Sequence, residues 1–149
     1  IEVEVDTYTG EIKTTRAVAA VDCGTPINPD LAAGQLEGGL CRGIGLALLE
    51  DTDYDRKSGR LTCGGTFIDY KTYTPVDMPP VDLVKTFFAD TYEPSGPFGA
   101  KGVGEAANNA TAAAVANAIY NAVGIRFYHA PITPEVVMEA LQNQKGGEK

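Results

Sequence analysis

Apolar and charged residues alternate through Ile1, Glu2, Val3, Glu4, Val5 and Asp6, the period of a strand with one buried face. A Thr9-Gly10 turn and a second β-rich run ending at Val21 complete a hairpin. From Asn28 the period becomes helical. Asn28 supplies a cap and Pro29 a first-turn proline, and Leu36, Leu40, Ile44, Ala47 and Leu48 share one face of a helix reaching about Glu50. Gly34, Gly38, Cys41 and Gly45 form a stripe of small side chains beside that face. A glycine inside a helix costs about 1 kcal/mol relative to alanine, so the stripe predicts a closely approaching neighbour, either packed backbone or a bound cofactor. The pattern leaves both open. Glu37 falls on the leucine-bearing side, where burial would require a partner, and reads as structural.

Farther on, Asp51 to Arg56, a Lys57-Ser58-Gly59 turn, Leu61 to Tyr70 and Val81 to Ala89 predict strands, with a Pro75 to Pro80 connection before the last. Residues 91–104 are too rich in Gly and Pro for regular structure, and Glu105 to about Val123 reads as an alanine-rich helix. A final helix begins near Thr133-Pro134, places Val136, Val137, Ala140 and Leu141 on one face, and runs into a polar tail from Gln142. The expected fold class is α+β: a hairpin and small mixed or antiparallel sheet packed with two long helices and a short C-terminal helix. Its 149 residues suit a single domain, 1–149, with 143–149 expected as a disordered tail.

Composition narrows the possible partners. With 44% hydrophobic and 21% charged residues the chain can bury a core. Twelve Lys plus Arg against twenty Asp plus Glu give a net charge of -8, the wrong sign for a phosphate backbone, so nucleic acid is not expected as a partner. No apolar stretch approaches the roughly 18 residues of a membrane span, and no membrane association is expected. The opening on Ile1, already in a strand pattern, suggests a piece of something longer. Cys23, Cys41 and Cys63 are odd in number and match no metal-pair spacing, which predicts buried free thiols in a cytoplasmic protein. His129 is the sole histidine, so no two-histidine metal site can form, and no metal ligands are expected.

The densest chemistry lies in Gly99-Ala100-Lys101-Gly102-Val103-Gly104-Glu105-Ala106-Ala107, where a glycine loop meets a helix start. Gly102-x-Gly104-x-x-Ala107 resembles part of a dinucleotide fingerprint, but that motif needs a strand immediately before it and an acidic residue about 20 positions later. Alternatively, the glycines let a bound group approach while Glu105 serves as a general base. From spacing alone, the favoured reading of Glu105 is the plainer one, a helix-start carboxylate stabilised by the macrodipole. Lys101 reads as a solvated loop lysine outside the site.

Several motifs occur together in a recognisable order. Val21-Asp22-Cys23-Gly24, Ile27-Asn28-Pro29, Gly34-Gln35-Leu36-Glu37-Gly38-Gly39 and Gly43 to Glu50 are followed by Asp69-Tyr70-Lys71, Asp77-Met78-Pro79 and the Gly96 to Glu105 loop. The sequence resembles the C-terminal part of the molybdopterin-binding large subunit of xanthine dehydrogenase-like molybdenum hydroxylases, over roughly Val3 to Leu141. The resemblance implies an oxidoreductase that hydroxylates an electrophilic carbon of an N-heterocycle or aldehyde with water-derived oxygen. It implies Glu105 as the active-site base, Gln35 as a cofactor-binding carboxamide, and the backbone at Gly102, Val103 and Gly104 as the nearest approach to the cofactor. The implied cofactor is molybdopterin with molybdenum, held without a protein ligand. Implied partners are the remainder of the subunit, 2Fe-2S and FAD domains or subunits, and a small-molecule substrate. A segment of this length is not expected to bind the cofactor or act alone. The alternative is an assembly module that keeps the fold without the chemistry.

Overall fold

The computed structural model describes residues 1–146 and forms the N-terminal hairpin where the alternation places it. β1 (Glu2–Val5) pairs antiparallel with β2 (Ile12–Val21). Between them the Asp6 carboxylate accepts the amides of Tyr8 at 2.7 Å and Thr9 at 3.2 Å, closing the turn. α1 (Pro29–Leu48) starts where Asn28 Oδ1 accepts the Leu31 amide at 3.1 Å. A short antiparallel hairpin follows, β3 (Asp53–Tyr54) and β4 (Leu61–Cys63). Then come β5 (Val84–Phe88), α2 (Ala106–Asn109), α3 (Thr111–Val123) and α4 (Pro134–Gly146).

The main sheet has the order β1-β2-β5, with β2 and β5 parallel and Ala17 opposite Val84. Parallel neighbours need a long crossover, and α1 together with the β3–β4 hairpin forms it. The sheet is therefore mixed, as the α+β expectation allowed. Its core is shared by three helices: Ile44, Ala47 and Leu48 of α1, Val115 and Ile119 of α3, and Val137 and Leu141 of α4. Burying each of the Val, Leu and Ile side chains among these contributes about 1.5–3 kcal/mol.

Several elements depart from the sequence reading. The expected helix from Glu105 to Val123 breaks at Ala110 into α2 and α3. Asn108, Asn109 and Thr111 are poor helix formers, and the Thr111 hydroxyl donates back to the Ala107 carbonyl at 2.6 Å. The strand expected through Tyr70 ends at Cys63, because the Asp69 carboxylate draws the Gly64 and Thr66 amides into a turn. Val136 is 40% exposed, beside the buried Val137. Glu37 is exposed and needs no buried partner. All three cysteines are free, but only Cys23 is buried; Cys41 is half-buried and Cys63 exposed. The polar residues after Leu141 continue α4 to Gly146, since Gln and Lys are good helix formers. Residues 147–149 of the expected tail lie outside the described residues.

Candidate cofactor groove and active site

The glycines of α1 divide by neighbour. A Cβ at Gly43 would collide with the Thr111 side chain, one at Gly39 would lie 2.6 Å from the Ala107 Cβ, and one at Gly45 would lie 2.8 Å from the Tyr73 Cβ. These positions let α2, α3 and the following loop close on the helix. At Gly34 and Gly38 a Cβ would meet nothing within 4 Å. Both alternatives left open by the stripe are therefore present at different positions: packing at its C-terminal half, an open face at its N-terminal half.

That open face is one wall of a groove of about 450 Å³ lined by Gly34, Gln35, Gly38, Gly104, Glu105 and Asn108. A neighbouring hollow of about 340 Å³ is lined by Cys23, Ile27, Leu31, Gln35 and Val103 among others. Gln35 lines both and forms the ridge between them. Gly102 lines neither, although it is exposed and a Cβ there would meet nothing within 4 Å. The fold thus gathers Gln35, Val103, Gly104 and Glu105 from segments far apart in sequence, with Gly102 beside them.

The loop carrying Gly102 to Glu105 is fastened to the end of β2. Thr25 donates its amide to the Gly99 carbonyl at 2.9 Å, and the Lys101 amide donates to the Cys23 carbonyl at 2.7 Å. Gly24 and Gly99 both have positive φ, and a Cβ on Gly24 would strike the Gly99 carbonyl, so the close backbone approach requires glycine there. The Lys101 ammonium lies 2.7 Å from the Asp22 carboxylate. That bond, then the Thr91 hydroxyl and the Gly24 amide, hold the Asp22 carboxyl far below the ordinary range, while the same pairing raises Lys101. Lys101 is exposed, as a solvated loop lysine would be, yet its ammonium pairs with Asp22 and ties the loop to the end of β2.

Glu105 immediately precedes α2, is exposed, and makes no side-chain capping bond. Neither of the two salt bridges among the described residues uses it. The helix it introduces has four residues, too few for a strong macrodipole. These facts weaken the macrodipole reading that spacing alone had offered, and they leave a carboxylate chemically able to accept a proton from a group in the groove. The dinucleotide reading also loses its context, because β5 ends at Phe88 and a loop rather than a strand precedes Gly102.

The groove has room and polar groups for a hydrogen-bonding ligand. Gly34, Gly38 and Gly104 leave open space where side chains would stand, and Asn108, whose Oδ1 is buried against α1 at Gly43, has that oxygen without a hydrogen-bond partner among the described residues. A buried acceptor of this kind costs free energy until something donates to it. The Gln35 carboxamide offers a donor and an acceptor at the ridge. No group of three or more His, Cys, Asp or Glu among the described residues is placed to hold a metal ion, so a metal at this site would have to arrive in its own ligand frame.

Residues 1–79, just over half the chain, match the molybdopterin cofactor-binding domain family. The chain belongs to that family. Gln35 falls within the matched residues of this molybdopterin-binding domain; Glu105 follows them. The chain is 39% identical over 145 residues to the probable hypoxanthine oxidase XdhD of Escherichia coli K12, covering 95% of this chain and 14% of that protein. It is 38% identical over 141 residues to an aldehyde oxidoreductase of Megalodesulfovibrio gigas, covering 95% of this chain and 15% of that protein. Among solved structures, quinoline 2-oxidoreductase from Pseudomonas putida 86 superposes with a TM-score of 0.85 at 36% identity, over 94% of this chain and 18% of that one. The chain therefore spans about a seventh to a fifth of these relatives, which are oxidoreductases by name. No helix among the described residues is long and apolar enough to cross a membrane.

Asp22, Thr91 and Asn108 were not singled out by sequence reasoning. Asp22 stands inside a recognised motif, but its partner Lys101 is 79 residues away, and no local pattern connects them.

Proposed function

We propose that this molybdopterin-binding domain is the C-terminal part of the large subunit of a molybdenum hydroxylase, and that it supplies the active-site base Glu105. The observation that carries the reading is Glu105 itself: an exposed carboxylate at a helix start, free of any capping bond, on the groove shared with Gln35 and the open glycines. A molybdenum cofactor bound there would supply the two-electron oxidation that no side chain here can perform. Gln35 would hold it by hydrogen bonds at the ridge, and the backbone at Gly102, Val103 and Gly104 would close over it where side chains are small or absent. Glu105 would take the proton released as water-derived oxygen is activated for attack on an electrophilic carbon.

The relatives' names include a hypoxanthine oxidase, an aldehyde oxidoreductase and a quinoline oxidoreductase, which supports an N-heterocycle or aldehyde as the substrate class. In this reading the remaining pocket walls belong to the rest of the subunit, and iron-sulfur and flavin centres on other domains or subunits carry the electrons away. A non-catalytic assembly module would have no use for an uncapped carboxylate on an open groove.

The test is Glu105→Gln in the complete enzyme that contains this chain, with the rate of the reductive half-reaction normalised to molybdenum content. The substitution keeps shape and reach but removes proton affinity. The rate is expected to fall about a hundred- to ten-thousand-fold with molybdenum retained; a near-normal rate at full molybdenum would sink the assignment.

A further inference from the structure

Three segments converge on one exposed carboxylate. Asp22, at the end of β2, accepts from the Lys101 ammonium at 2.7 Å, from the Gly24 amide at 3.0 Å and from the Thr91 hydroxyl. Lys101 belongs to the glycine loop, and Thr91 to the chain just after β5. The same junction is tied through its backbone, since Thr25 and Glu93 both donate amides to the Gly99 carbonyl at 2.9 and 3.1 Å. Between these ties the chain is held in a conformation it would not choose. Phe98, an exposed non-glycine residue, has a φ of 55°, and Gly99 follows with a φ of 82°. Backbone in that region persists only where its surroundings over-determine it.

We infer that Asp22 and Lys101 form a positioning clamp that fixes the loop so that Gly104 and Glu105 face the groove. A lone exposed ion pair contributes little, but here one carboxylate joins three segments at once, and the next turn of chain beyond Lys101 is the one that presents Glu105. The groove's other wall, α1, is a twenty-residue helix, whereas the Glu105 side is an irregular loop leading into the four-residue α2. The clamp adds a side-chain tie to the backbone bonds at Gly99 and Lys101, and a base must be held within a fraction of an ångström of its working position. This inference rests on the reading of Glu105 as the base.

The experiment uses the complete holoenzyme with Asp22→Asn, Lys101→Met and Lys101→Arg, beside Glu105→Gln. Hydrogen exchange of peptides spanning 92–105 is followed together with kcat, KM and molybdenum content. Asp22→Asn and Lys101→Met are expected to speed exchange there about threefold to tenfold and to lower kcat per molybdenum with KM nearly unchanged. Lys101→Arg, which keeps the ion pair, is expected to restore both. Unchanged exchange in the first two variants would overturn the clamp. Faster exchange with undiminished kcat, while Glu105→Gln is inactive, would overturn the positioning role and leave the base in place. Faster exchange with Glu105→Gln near normal would instead refute the base and leave the clamp as a purely structural fastening.

Discussion

Glu105 and Gln35 line one groove, yet their loss should register differently. Removing the Gln35 carboxamide takes away a hydrogen bond and not the proton acceptor, worth about 1 kcal/mol, so Gln35→Ala is expected to slow reduction of the enzyme by substrate about fivefold to tenfold and to loosen cofactor retention. Rates and molybdenum content of the two variants, measured side by side, check the contrast. The pairing at Asp22 has its own pH signature. Its carboxyl lies below the ordinary 3.8 in the fold, so its contribution is complete above that value and fades as the medium is acidified through the lowered one. Lys101 is raised above 10.5, so its share is complete below that value and is lost only at higher alkalinity. Loop protection in hydrogen exchange, corrected for intrinsic exchange, should be level from about pH 5 to pH 9; a step inside that window would mean that another group holds the loop. At this scale short motifs pointed to Gln35 and the Gly102 to Glu105 run, of which the fold brings all but Gly102 onto the groove or the hollow beside it. The sequence concealed Asp22, Thr91 and Asn108, whose roles come from partners brought close only by the fold.

Among the elements, α1 was the most legible, because its cap, proline and apolar period all agree. Its glycines were not, since helical period says that a face is narrow but not what occupies it. Gly43 and Gly34 make opposite tests. Gly43→Ala must displace Thr111 and is expected to lower unfolding free energy by about 1–3 kcal/mol. Gly34→Ala meets open space and gains helix propensity, so it should raise stability by about 0.5–1 kcal/mol while narrowing the groove. Thermal or denaturant unfolding of both variants decides; destabilisation by Gly34→Ala would show that its face is already packed. The break between α2 and α3 was hidden for a related reason: the alanine-rich run reads as uniformly helical, and the local competition from Asn108, Asn109 and Thr111 is visible only once Thr111 is seen bonding back to Ala107.

Across the whole molecule, the α+β class was readable from the order of periods, but the parallel pairing of β2 with β5 was not. Nothing in either strand's composition names a neighbour more than sixty positions away. That pairing makes the molecule a clasp. The stretch from Asp51 to Ile68 is exposed apart from a half-buried Gly64, and it carries three basic residues, Arg56, Lys57 and Arg60, at its tip. The two sides of that tip are joined again by β2 against β5, and by α1 against α3. Peptide continuity at the tip is therefore a tether and not a strut. Brief trypsin treatment is expected to cut first between Arg56 and Arg60, giving two bands in denaturing electrophoresis but one particle in native gel filtration. Separation of the pieces without denaturant would show that the clasp does not hold. If it holds, each piece carries half of the groove, Gln35 on one and Glu105 on the other, and two separately made polypeptides could assemble a site that neither contains.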